Sequence, residues 1–179
     1  MMRLHDITMN NKDLFDRYFA FKQYEISDFT FTNLFMWRKS YCIKYSIIKD
    51  HLCILAQYKE NHPFALFPIG NGSVAPVIEC LISYFKDRGK KLIIKSLTPT
   101  MVTQLMNEMP GRFCFTPHRD TFDYVYKSSD LINLEGKKFH AKRNHINKFI
   151  ANNEFTYLPL TKELINDCIK VATKWCEKR

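Results

Sequence analysis

The chain has 179 residues, 46% of them hydrophobic and 25% charged, with only 5 Gly and 7 Pro. These proportions exclude a disordered or collagenous chain and fit one domain, with at most part of a second. Lys and Arg number 27 against 18 Asp and Glu, a net charge of +9. Such a field attracts RNA, DNA, anionic lipid or phosphorylated cofactors without choosing among them.

In chain order, residues 3–7 form a short first strand, and Asn10 or Asn11 caps a helix with Leu14, Phe15, Tyr18, Phe19 and Phe21 on its apolar face. A turn from Ser27 or Asp28 leads into a short helix over 31–40. Residues 41–49 alternate, with Ile43, Tyr45 and Ile47 on one face. A Lys49-Asp50 turn returns the chain along 51–58, and 64–67 adds a third strand of an antiparallel meander. After Pro68-Ile69-Gly70-Asn71-Gly72, Ser73 caps a helix with Val77, Leu81, Tyr84 and Phe85 inward, which Gly89 ends. Residues 91–97 are a strand. Thr98-Pro99 starts a helix with a Val102, Leu105, Met106, Met109 stripe. Strands are expected at 112–117 and 122–127, then a basic helix at 137–151, a strand at 155–159, and a final helix capped by Thr161 with Leu164, Cys168, Val171, Ala172 and Trp175 along one side. The fold class is therefore α/β of the α+β kind: a mixed, mostly antiparallel sheet flanked by helices.

No run reaches the ~18–20 apolar residues of a membrane span. The opening MMRLHDITMNN lacks the apolar stretch of an export leader. The expected location is the cytoplasm, with peripheral membrane association as the variant that the charge allows. Cys42, Cys53, Cys80, Cys114, Cys168 and Cys176 include no C-x-x-C pair and are expected as buried free thiols.

Three places offer chemistry. In Gly136–Phe149, the residues Lys137, Lys138, Lys142, Arg143 and Lys148 occur without an acid, so five of the net nine charges fall within twelve residues. On a helix, Phe139, Ile146 and Ile150 share a stripe about 40° wide that docks on protein, and the basic remainder presents donors to phosphate oxygens. The competing reading is a solvated connector. Gly70-Asn71-Gly72, between a strand and a helix N-terminus, is a candidate phosphate loop or simply a glycine turn. His118, Asp120 and Tyr124 are weak candidates for moving protons, and Arg119–Asp120 equally reads as a surface ion pair. No catalytic nucleophile set can be argued from spacing, and no metal-ligand cluster is expected, since His140 and His145 diverge on a helix.

The element order resembles the GNAT fold of N-acyltransferases. FTNLFMWR, the PIGNG turn, RDTFDYVY, DLINLEGKKFHAKRNHINKF and the final KWCEKR resemble the bacterial family related to the C-terminal domain of phosphatidylglycerol lysyltransferase, relatives of Fem-type aminoacyltransferases. The resemblance implies two tandem GNAT-like domains: residues 1–134 as the first, 135–153 as a basic connector helix, and 154–179 as the incomplete beginning of the second. It implies transfer of an aminoacyl group from aminoacyl-tRNA to an amine or hydroxyl acceptor, such as a lipid headgroup or cell-wall precursor. Activity of this chain alone is not expected. The implied partners are tRNA, an anionic membrane surface, and a second GNAT-like domain or a homodimer partner, with no metal. GNAT proteins that bind acetyl-CoA carry Q/R-x-x-G-x-G/A. Here the segment reads FPIGNG, with Phe67 at the Gln or Arg position. This weakens acyl-CoA, the one cofactor under consideration, and makes an acyl-CoA-dependent N-acyltransferase the alternative function. A non-catalytic GNAT-shaped scaffold is the other, and exposure of Trp175 would favour it.

Overall fold

A computed structural model describes residues 2–22 and 24–177. The chain divides between Asp123 and Tyr124 into two compact units.

The first unit is built on a five-stranded sheet in the order β1-β2-β3-β4-β5, with β1 His5–Asp6, β2 Lys44–Ile48, β3 His51–Ala56, β4 Phe64–Leu66 and β5 Ile94–Lys95. The first three pairings are antiparallel, and β4 runs parallel to β5. A parallel neighbour requires a crossover. The connection here contains helix α3, Ala75–Lys86. The β2–β3 register pairs Ile48 with His51, leaving Lys49 and Asp50 as a two-residue turn with φ of 47° and 59°. Both values lie in the left-handed region that such hairpin turns demand.

Helices α1, Lys12–Phe19, and α2, Phe31–Trp37, bury Phe15, Phe31 and Leu34. Phe15 packs edge-on to Tyr45 at 5.1 Å between ring centroids. In β2 the side chains alternate, so Tyr45 and Lys44 face opposite sides of the sheet. All six residues of β3 are buried: the central strand is covered on both faces and shows no alternation. Ile47, expected inward with Tyr45, is 41% exposed.

Helix α3 buries Val77, Ile78, Leu81 and Phe85. Gly89, at φ 66°, lets Lys90 N–H reach back to the Phe85 carbonyl at 3.0 Å, the left-handed helix ending that the glycine promised. Helix α4, Pro99–Glu108, opens as expected, with the Thr98 hydroxyl accepting from Met101 N–H at 3.4 Å. Its inward line is Met101, Leu105 and Met109, while Met106 is exposed. Ser73 is not the N-cap of α3. Val74 takes that position, and the Ser73 hydroxyl serves an acceptor from elsewhere, described below.

The expected strands at 112–117 and 122–127 do not form. Phe113 and Phe115 alternate onto the core, but a 3₁₀ turn at Arg119–Thr121 interrupts the run. Alternation without a hydrogen-bonded neighbour leaves extended chain rather than sheet. The carboxylate of Asp123 ties this end of the unit down, accepting from Ser27 N–H at 2.9 Å and Ser27 Oγ at 3.1 Å.

The second unit contains α5 Ser128–Asn133, α6 His140–Asn152 and α7 Ile165–Glu177. The expected strand at 155–159 does not form: these residues are exposed and carry no regular secondary structure. All six cysteines are free, but burial holds only for Cys53, with Cys80 intermediate; Cys42, Cys114, Cys168 and Cys176 are exposed. Burial, with a smaller contribution from nearby Cys80, pushes the Cys53 thiol up to about 12, so it stays protonated and inert. Among the described residues, no helix is long and apolar enough to cross a membrane.

Candidate functional site

The acid-free basic segment folds as a 3₁₀ turn, Lys137–Phe139, leading into α6. Gly136 precedes it at φ 80° and ψ 178°, a backbone region open essentially to glycine alone. Leu134 is left-handed at φ 51°. At the far end, the Asn152 and Asn153 amides donate back to the carbonyls of Lys148 at 2.7 Å and Phe149 at 2.8 Å. They satisfy acceptors that the end of a helix leaves open.

The five basic residues named from the sequence do not share one role. Arg143 turns back along its own unit, and its Nη1 donates to the carbonyls of Leu134 and, at 2.9 Å, Gly136. Lys138 pairs with Asp130 at 2.8 Å. Lys137, Lys142 and Lys148 are exposed. No carboxylate lies between Gly136 and Asn153, and Lys137 and Lys138 stand at the positive end of the helix dipole. That arrangement is unfavourable for the helix itself and favourable for a bound anion. Of the expected docking stripe only Phe139 is buried, since Ile146 and Ile150 are 46% and 54% exposed. Arg143→Ala should cost about 1 kcal/mol and speed amide exchange across 134–139, while Lys142→Ala should leave both unchanged. Hydrogen exchange read by mass spectrometry separates the two.

The Gly70–Gly72 turn sits ahead of α3 as expected, yet the helix N-terminus already holds an anion. The Glu108 carboxylate, from the last turn of α4, accepts through Oε2 from Ser73 Oγ at 2.7 Å, Val74 N–H at 2.7 Å and Ala75 N–H at 3.0 Å. Gln104 donates to its Oε1 at 2.7 Å. Partial burial pushes this carboxyl up, but the donors from Ser73, Gln104, Ala75 and Val74 together hold it below the usual glutamate range. Gly70 has a packing reason of its own. A Cβ there would lie 2.8 Å from the Asp50 carbonyl oxygen and from the His51 ring. Gly70→Ala is therefore expected to destabilise the fold by about 2 kcal/mol in chemical denaturation, whatever the turn binds. Gly72, at φ 88°, faces open space.

His118 and Asp120 lie exposed at the 3₁₀ turn of residues 119–121, and Tyr124 is 81% exposed. The hydrogen bonds at that turn are local, with Thr121 Oγ1 donating to the His118 carbonyl at 2.9 Å. Arg119 stands over the Phe122 ring at 5.3 Å. Among the described residues, no group of three or more His, Cys, Asp or Glu is placed to hold a metal ion. The Glu108 cluster escaped sequence reasoning, although one signal was present. A carboxylate in the last turn of a helix opposes the dipole, so its partner had to be sought outside α4.

Residues 19–179 match the family described as phosphatidylglycerol lysyltransferase, C-terminal. The chain belongs to that family. A similar solved structure, that of a conserved protein of unknown function from Bacteroides thetaiotaomicron VPI-5482, is 32% identical with a TM-score of 0.84 over 99% of this chain. The chain spans 60% of that protein's length. No match was found among curated proteins. The mixed sheet and its helices are thus shared with a longer protein.

Proposed function

We propose that this chain is part of an aminoacyltransferase that takes its aminoacyl group from tRNA, and that α6 supplies contacts to the RNA backbone. One observation carries the reading: an acid-free helical segment leaves Lys137, Lys142 and Lys148 exposed along its length, with Lys137 at the positive end of the helix. Family membership supports the chemistry, in which an amine or hydroxyl of a lipid headgroup or cell-wall precursor attacks the aminoacyl ester carbonyl. That step needs a base and an oxyanion donor. His118 and Asp120, exposed at a surface turn, are not assembled into such a pair, so catalysis by this chain alone is not expected. The parallel β4–β5 pair within a mostly antiparallel sheet is compatible with a GNAT-like architecture.

The acyl-CoA alternative would place a pyrophosphate at the N-terminus of α3, where it would have to displace Glu108. The scaffold alternative draws support from the exposed Ile165 and Ile169 of α7, four residues apart on one helix face, an apolar surface suited to a second domain. Trp175, on the same helix, is 57% exposed.

Binding to aminoacylated tRNA, with uncharged tRNA and acetyl-CoA as competitors across a salt series, tests the readings against each other. Binding that needs the aminoacyl group and falls steeply with salt is the expected result. Displacement by acetyl-CoA would transfer the assignment to the N-acyltransferase reading, and absence of binding to either would leave the scaffold.

A further inference from the structure

Between the sheet and the C-terminal turn of α3 an open cleft of about 250 Å³ remains. Its walls are hydrocarbon: Leu4 ahead of β1, Leu55 of β3, and the Tyr84 and Phe85 rings of α3. Three cations, Lys44, Arg88 and Lys90, complete the lining, and no lining residue is acidic. The register sets Lys44 directly across from Leu55, so charge and apolar surface meet on one face. Lys44 has a counter-charge in Asp6 at 2.9 Å. Among the described residues Arg88 forms no ion pair; its guanidinium stands 3.6 Å above the Tyr84 ring, with Nη1 donating to the Tyr84 carbonyl at 3.0 Å. The outer edge of its fork keeps donors for an acceptor with two oxygens.

A small hydrophilic anion would leave the hydrocarbon walls without contact, and a neutral hydrocarbon would sit beside cations that it cannot pair. Only an amphiphile with one negative end meets both conditions. We infer that this cleft binds a single-chain anionic amphiphile of the fatty-acid class, with its chain along Leu4, Leu55 and Phe85 and its carboxylate on Arg88 and Lys90. The site lies wholly in the first unit.

Decanoate is the probe, titrated into the whole chain and followed by amide NMR, with decanol as the uncharged comparison. The expected result is saturable shifts at Leu4, Leu55, Gln57 and Tyr84, with decanol weaker by about tenfold. Arg88→Glu with Lys90→Glu, both exposed positions, should weaken decanoate by at least about tenfold as well. Cys42 lines the cleft and is exposed, so bound decanoate should slow its alkylation while Cys114 and Cys168 react as before. The inference is overturned if decanol binds as tightly as decanoate, or if the shifts fall on residues 124–177 instead. Unchanged affinity in the folded double variant would also overturn it, as would phosphatidylglycerol vesicles that shift the same amides while decanoate does not. Should the double variant fail to fold, the decanol comparison and Cys42 protection in the unaltered chain still decide.

Discussion

Replacing Glu108 with alanine is expected to lower the stability of the first unit by roughly 2–3 kcal/mol. The α3 N-terminus has no side-chain cap of its own. The two backbone donors at Val74 and Ala75, together with the Ser73 hydroxyl, share the one Glu108 oxygen. Losing it leaves two partly buried N–H groups without an acceptor and removes a negative charge from the positive end of a helix. It also cuts a link between α3 and α4 that spans more than thirty residues of sequence. Glu108→Gln keeps an acceptor oxygen but not the charge and should fall between the two. Urea denaturation measures all three proteins. A Glu108→Ala variant within about 0.5 kcal/mol of the unaltered chain, the range of ordinary surface changes, would sink the account.

The same contact carries a pH dependence with a defined sign. The folded carboxyl titrates below its ordinary value, because the four donors outweigh partial burial. The folded state therefore takes up this proton at lower pH than the unfolded chain does. Its contribution is complete above the ordinary glutamate value of about 4.3 and is lost as the pH falls from there through the lower folded value. Glu108→Gln should flatten that acidic limb while leaving the neutral limb parallel. The group is partly exposed, so the contrast is largest at low ionic strength.

What the sequence disclosed follows from how local each signal is. Thr98-Pro99 starts α4 because a hydroxyl acceptor and a fixed φ act within one turn. Gly89 ends α3 for the same reason. The antiparallel meander was legible because Tyr45, Leu52 and Ile54 stand beside a two-residue turn. Residues 112–117 carry the same period-2 pattern, yet a strand is a relation between two segments, and their alternation records only that Phe113 and Phe115 face the core. The full burial of β3 was likewise hidden, because cover on the second face comes from elements distant in sequence. In the basic segment, composition identified the charge but not its division of labour. Arg143 and Lys142 are neighbours in sequence, and only the left-handed turn at Leu134 gives Arg143 two carbonyls to hold.

That division sets the second large effect. Lys137→Ala, Lys142→Ala and Lys148→Ala together should reduce the slope of log affinity against log salt for tRNA by about 2–3, since each phosphate neutralised contributes somewhat under one. Affinity at low salt should fall by about two to three orders of magnitude. The melting temperature should hold, because all three side chains are exposed. The complementary pair Lys138→Ala and Arg143→Ala should behave the other way round. Lys138 is engaged with Asp130 and Arg143 with backbone carbonyls, so their loss disturbs the second unit more than it removes phosphate contacts. A salt series on both variants, with thermal melts alongside, distinguishes an RNA-contacting helix from a solvated connector. For a connector, neither variant would change the salt slope, and the triple variant would bind tRNA as the unaltered chain does.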